Sequence, residues 1–323
     1  MSLLNSRVTR RSALVAGGGG ALVAAVAAAA SAEGAAADTA AGASAGPARR
    51  TPVIPVVLTD AGFTMWRKVQ AGMVTFRISS PEDTYHALQG FRLKNGGTLT
   101  DIIEALRGGV SDDREAAAAG HRVLLEKADL IGGAVGVQNG AIDVTVLLEP
   151  GTYYFLDVND YFIEGLANPR VHTLQAIGRR GRIQLPEFDE TIVAIPHEMA
   201  GHETDHETFG FASPAVLPRH GTYLMINATD EIHDIVYRHA KPGTTDAYLR
   251  EYYQAVVNGT PLPGPSPWLE GNTHGLQGVS PGRWAVVSVP LEVGDYATVC
   301  YVPSKVTGIP HTLEGMHLMV RTV

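Results

Sequence analysis

The chain has 323 residues, 45% of them hydrophobic and 18% charged, with 36 Gly, 19 Pro and a single Cys. That composition excludes a disordered, collagen-like, coiled-coil or disulfide-stapled protein, and at roughly 100 to 200 residues per domain the length suggests about two domains. The formal charge of −8, from 25 Lys and Arg against 33 Asp and Glu, gives no basic footprint for a nucleic-acid partner.

Residues 9–15 read TRRSALV, with Arg10 and Arg11 ahead of an apolar run of Ala, Gly and Val from Ala13 to Ala32. This resembles a bacterial twin-arginine export signal with a small-residue cleavage site at Ala30-Ser31-Ala32. The alternatives are a chance arginine pair before a low-complexity stretch, or an uncleaved anchor. Residues 1–32 are therefore read as the signal and 33–50, rich in Ala, Gly and Ser, as a flexible linker. After residue 50 no stretch is long and apolar enough to span a bilayer, so the mature chain is expected to carry no transmembrane segment.

The remainder divides into two halves whose segments match in order. VQAGMVTFRISSPEDTYH (69–86) pairs with PRHGTYLMINATDEIH (218–233): a turn, an alternating strand, a polar loop and a His. GGTLTDIIEALRGG (96–109) pairs with PGTTDAYLREYYQAVVNG (242–259), each a helix with Thr at its start and Gly at its end. VTVLLEPGTYYFLD (144–157) pairs with VVSVPLEVGDYATVC (286–300), and VHTLQAI (171–177) with PHTLEGM (310–316). Four matches in one order indicate duplication, with domains at 51–186 and 187–323 and the boundary near Pro186–Glu190. IQL before that boundary and TIVAI after it both read as strands. A further helix is expected from Asp112 to Leu130, and the short alternating segments elsewhere predict antiparallel sandwiches.

The end of the second half, GDYATVCYVPSKVTGIPHTLEGMHLMV, taken with the upstream His233, resembles the copper-binding end of the cupredoxins, the plastocyanin-like blue-copper domains. The resemblance implies a mainly β fold of two tandem Greek-key β-sandwiches with short helical insertions. It implies one copper per chain in a type 1-like site, with His233 and His311 as nitrogen ligands, Cys300 as thiolate and Met316 as axial thioether. Electron transfer or copper handling follows, with a redox protein or a copper donor as partner. Ten residues separate Cys300 from His311, where the family has about two to four; closing the longer loop costs on the order of 1 kcal/mol, and its length argues against a tightly buried centre. His317 is the substitute ligand if the loop shifts register.

In the first half, His86 aligns with His233, Asp157 with Cys300, His172 with His311 and Ile177 with Met316. The soft ligands are gone, so a blue-copper site is not expected there. His86, Asp157 and His172 either form a two-His, one-carboxylate set for a harder metal or are polar relics of a lost site. For Cys300 itself, an inert core residue or a reactive thiol are the alternatives to a ligand.

HEMAGHETDH (197–206) looks like a zincin motif, but His197 and His202 are one position too far apart to share a helix face. His202 and His206 could share one, although a loop or linker is the simpler reading. Tyr301 follows Cys300 where multicopper oxidases and copper nitrite reductases have His, and no His-x-His pair occurs, which disfavours an oxidase. No Walker sequence appears after the signal. Tyr248 and Tyr252 are expected to pack a helix face against the sandwich. The leading reading is an exported copper protein; the alternative is a metal-free binding or structural module of the cell envelope.

Overall fold

A computed structural model describes residues 51–323 except 139, 164, 181–182, 197–198, 200–208 and 272. The signal and linker, and the histidines at 197, 202 and 206, lie outside the described residues.

The first half runs β1 (Val53–Thr59), β2 (Gly62–Thr64), β3 (Lys68–Gln70), β4 (Gly72–Ser80), β5 (His86–Leu93), helices α1 (Leu99–Gly109) and α2 (Arg114–Lys127), β6 (Ala128–Val137), β7 (Gly140–Leu148), β8 (Gly151–Asp157) and β9 (Val171–Ile177). The second half repeats the plan as β10 (Glu190–Ile195), β11 (Gly210–Ala212), β12 (Val216–Leu217), β13 (Thr222–Asn227), β14 (His233–Ala240), helix α3 (Asp246–Asn258), β15 (His274–Val279), β16 (Trp284–Ser288), β17 (Gly294–Val299) and β18 (His317–Thr322). Strand for strand the halves correspond, in line with three of the four matched segments.

Two sheets result, an eight-stranded one in the order β11-β10-β13-β16-β7-β4-β1-β2 and a ten-stranded one in the order β12-β18-β17-β14-β15-β6-β5-β8-β9-β3. Each order is a palindrome of equivalents, because β16 pairs with its counterpart β7 and β15 with its counterpart β6. The two sandwiches are thus fused through their sheets, and one core, from Ile54 and Phe76 to Tyr237 and Val320, runs through both halves. The sheets are mixed, not purely antiparallel: β1 lies parallel to β4 and β10 parallel to β13.

The helices form where the caps predict. Thr98 accepts from the Asp101 amide while the Asp101 carboxylate accepts from the Thr98 amide, a closed capping box at the start of α1. Thr245 caps α3, and Gly259 ends it in the left-handed region. The helix expected over Asp112–Leu130 is shorter at both ends: Asp113 caps it, and Ala128 already begins β6, where Leu130 bonds across to Ser280. IQL at 183–185 is not a strand, whereas TIVAI lies in β10. On α3 Leu249 and Tyr253, one helical turn apart, enter the core beside Trp268; half-buried Tyr252 packs against that core as expected, and Tyr248 lies against Tyr252.

The junction between halves leaves no room for a side chain at Gly136. Its φ of 75° is left-handed, and a Cβ there would stand 1.4 Å from the Thr273 carbonyl oxygen. Gly136→Ala is expected to lower stability by about 1–3 kcal/mol, measured as a fall in the urea midpoint; an unchanged midpoint would contradict this close approach.

Candidate metal centre

The centre of the second half is built by neighbouring strands. His233 opens β14, and β17 pairs with β14 antiparallel, Val236 opposite Val299, so that Cys300 leaves β17 beside the start of β14. The ten residues after Cys300 do not loosen the site, because backbone bonds close them at their base. Thr312 N–H donates to the Cys300 carbonyl at 2.8 Å, and His311 N–H to the Val302 carbonyl at 3.0 Å. Beyond that neck Pro303 bridges Pro310, and Ser304 accepts from the amides of Val306 and Thr307 to form a compact turn. A 3-10 turn over His311–Glu314 then carries the chain round, and Met316 N–H donates to the His311 carbonyl at 2.9 Å.

The outcome is a buried cluster. Both imidazole Nδ1 atoms point at one thiol: Cys300 Sγ lies 3.4 Å from His233 Nδ1 and 3.5 Å from His311 Nδ1. Cys300 and His233 are 0% exposed and His311 is 3%, so the expectation of a loosely covered centre is corrected: the loop's length is spent outside the neck. Met316 is fully buried in the same core as Cys300. His317 is elsewhere; it sits opposite Val299, its ring against Tyr253 and its Nδ1 3.3 Å from Asp246, and it is not a substitute ligand.

Three residues around the cluster carry no signal in the sequence motif. Phe209 lays its edge on both rings, 4.7 Å from His233 and 5.3 Å from His311, and covers them. Glu231, two residues before His233, holds the His311 Nε2 at 3.2 Å and accepts from the Lys305 amide at 2.9 Å. With its Nε2–H donated to Glu231, His311 is left with a free Nδ1 lone pair facing the thiol. His121, from α2 of the other half, donates through Nδ1 to the Pro303 carbonyl and accepts the Ile232 amide on Nε2 at 3.1 Å, tying loop and strand together. The even spacing of Glu231 and His233 was a usable hint for the former; His121 is remote in sequence and visible only in the fold.

Charge is scarce here. Burial, then the neighbouring His311, drives His233 far below its ordinary value, and burial with Asp234 pushes the Cys300 thiol well up. Burial also raises Asp234, to about 7, and lowers His121 from 6.5 to about 4. For Glu231, burial works upward but the hydrogen bonds from His311 and Lys305 prevail and hold it below the usual carboxylate value.

The donor set fits type 1-like copper. Metal–sulfur and metal–nitrogen bonds of about 2.3 and 2.0 Å at tetrahedral to trigonal angles set S and N roughly 3.5–3.8 Å apart, close to the distances seen. A thiolate, two neutral imidazoles and a buried thioether are the soft set such copper takes, and the His233 Nε2, without a hydrogen-bond partner, leaves the ring free to orient by packing alone.

In the first half the aligned residues part company. His86 Nδ1 lies 2.5 Å from Asp157 Oδ2, both buried, in the positions of His233 and Cys300. His172 does not join them: β9 runs antiparallel to β8 with His172 opposite Phe155, and its ring packs on Phe63. β9 is the counterpart of β18, so the match of 171–177 to 310–316 is not structural, and the two-His, one-carboxylate set is not assembled.

No family model matches the chain, and no curated protein matches it. Among solved structures, auracyanin A, a "blue" copper protein of Chloroflexus aurantiacus, aligns at 18% identity over 39% of this chain and 98% of its own, TM-score 0.26. The copper nitrite reductase of Nitrosomonas europaea aligns at 11% over 84% and 93%, TM-score 0.23, and the blue copper oxidase of the same organism at 10% over 84% and 85%, TM-score 0.21. Superpositions this loose assign neither family nor chemistry.

Two outcomes are expected. Below pH 6.5 the unfolded chain binds a proton that folded His121 refuses until about pH 4, because burial penalises the imidazolium; the metal-free protein should lose stability as pH falls across this window, and a flat series of urea midpoints would contradict it. Glu231→Gln should weaken copper binding about 10- to 100-fold in a competition titration, since the ligand ring loses its anionic anchor.

Proposed function

We propose that this chain is an exported, cupredoxin-like protein that binds one copper in its second half and works in electron transfer or copper handling. The observation that carries this is the convergence of two Nδ1 atoms on one buried Sγ, with no water-facing group among the three. A copper ion held by His233, Cys300, His311 and Met316 would supply a one-electron couple. The chain's own part is to fix the donors. Strand pairing sets His233 against Cys300, the closed neck sets His311 and Met316, and Glu231 chooses the tautomer of His311. Because burial keeps the thiol protonated in the metal-free protein, uptake at neutral pH releases its proton.

Electron transfer is favoured over delivery, since every donor sits on a hydrogen-bonded element and Phe209 closes the face over the imidazoles. The redox partner or copper donor would meet the protein outside the cytoplasm, a placement that rests on Arg10, Arg11 and the apolar run after them. No helix among the described residues is long and apolar enough to cross a membrane.

Copper titration of the protein beside Cys300→Ser tests this. The expected result is about one copper per chain with an intense thiolate charge-transfer band that the substitution abolishes. A colourless protein that takes up no copper would leave the metal-free module as the function of this fold.

A further inference from the structure

The blue-copper reading takes no ligand from the first half, yet the equivalent end of that half gathers a second set of donors. Asp60, at the β1–β2 turn, Glu82, in the β4–β5 loop, and His86, opening β5, place one ligand atom each within 4.8 Å of one another. His86 Nε2 lies 3.6 Å from Glu82 Oε2 and 4.0 Å from Asp60 Oδ1.

The His86 ring is 1% exposed, and its Nε2 is a buried polar atom without a hydrogen-bond partner. Its orientation is fixed from behind. Asp157 accepts from Nδ1 and, through its other oxygen, from the amides of Ala87 and Asn159 at 3.0 Å each. With Nδ1–H committed, the lone pair of Nε2 faces two carboxylates and no donor. The carboxylates are themselves aimed: the Asp60 amide donates to Glu82 Oε2 at 2.6 Å, and the Thr84 hydroxyl to Asp60 Oδ2 at 3.1 Å, which leaves Asp60 Oδ1 toward the ring. Arg170 does not fill the gap; its guanidinium donates to Asp160 and to the Asp60 carbonyl.

A lone pair and two anions facing one point call for a cation. We infer that Asp60, Glu82 and His86 form a second metal site, for a divalent first-row cation of the zinc class, with Asp157 as the carboxylate that orients the ligand histidine. Bonds of about 2.0–2.2 Å would hold neighbouring donors roughly 3.0–3.5 Å apart, so His86 Nε2, now 3.6 and 4.0 Å from the two carboxylates, would close on them by up to about 1 Å. Two carboxylates neutralise the ion, and one imidazole with oxygen donors suits zinc or manganese better than the soft copper of the other half. Asp60 is 59% exposed and Glu82 35%, so the site opens to solvent and leaves coordination positions for water. The inference stands apart from the copper reading, since it shares no residue with it.

The test is zinc binding by the full chain carrying Cys300→Ser, followed by equilibrium dialysis, alone and with Asp60→Asn or Glu82→Gln. Both added changes are near-isosteric and partly exposed, and far-UV circular dichroism checks the fold. About one zinc per chain, weakened more than about tenfold by either change, is expected. No zinc bound would overturn the proposal, and binding untouched by both changes would place zinc elsewhere and overturn it too. On the unsubstituted chain, cobalt should shift the His86 ring resonances paramagnetically, and unshifted resonances would overturn it as well.

Discussion

The bond from the Thr312 amide to the Cys300 carbonyl, with its neighbour from His311 to Val302, is the constraint on which the metal centre rests. A thiol and two imidazoles withdrawn from water gain nothing by burial on their own, since burial penalises the charged form of each. They stay together because the strands and this neck leave them nowhere else to go. Once the neck is shut, the excursion from Pro303 to Pro310 can be of almost any length, and its own turn is satisfied by Ser304. It also reaches the other half, where His121 and Arg122 hold the carbonyls of Pro303 and Lys305.

That reach shows how the duplication is used. The halves pair equivalent strands, β6 with β15 and β7 with β16, and then exchange contacts around the junction. Arg283 forks onto Asp129, and Gln89 donates to the Gly278 carbonyl at 3.0 Å. α2 of the first half therefore buttresses the centre of the second. The same fold position has diverged chemically: a thiol beside an imidazole in one half, a carboxylate beside an imidazole in the other. The first presents Nδ1 to the sulfur, whereas the second turns Nδ1 to the carboxylate and presents Nε2 to acidic loops. Sulfur in one half and carboxylate oxygen in the other separate a soft donor set from a hard one.

Much of this was legible in the residues. The duplicated segments, the capped helices and the turn glycines determined a mainly β, two-part chain, because these are local signals that neighbours along the chain satisfy. His233, Cys300, His311 and Met316 could be named because GDYATVCYVPSKVTGIPHTLEGMHLMV and the upstream His resemble the copper-binding end of the cupredoxins. The sequence misjudged the effect of loop length, since chain separation says nothing of backbone bonds that shorten a loop. It also misplaced His172, because seven similar letters can lie in a strand in one half and a turn in the other.

Only the tertiary structure decided what surrounds the donors. Glu231 on His311, His121 on the loop, Phe209 over both rings and Asp60 with Glu82 before His86 come from segments that the fold alone brings together. Sequence determines which ligand atoms exist and the local elements that carry them. Strand register and packing determine which nitrogen of each histidine is free and which charge faces it, because these depend on contacts between residues far apart in the chain.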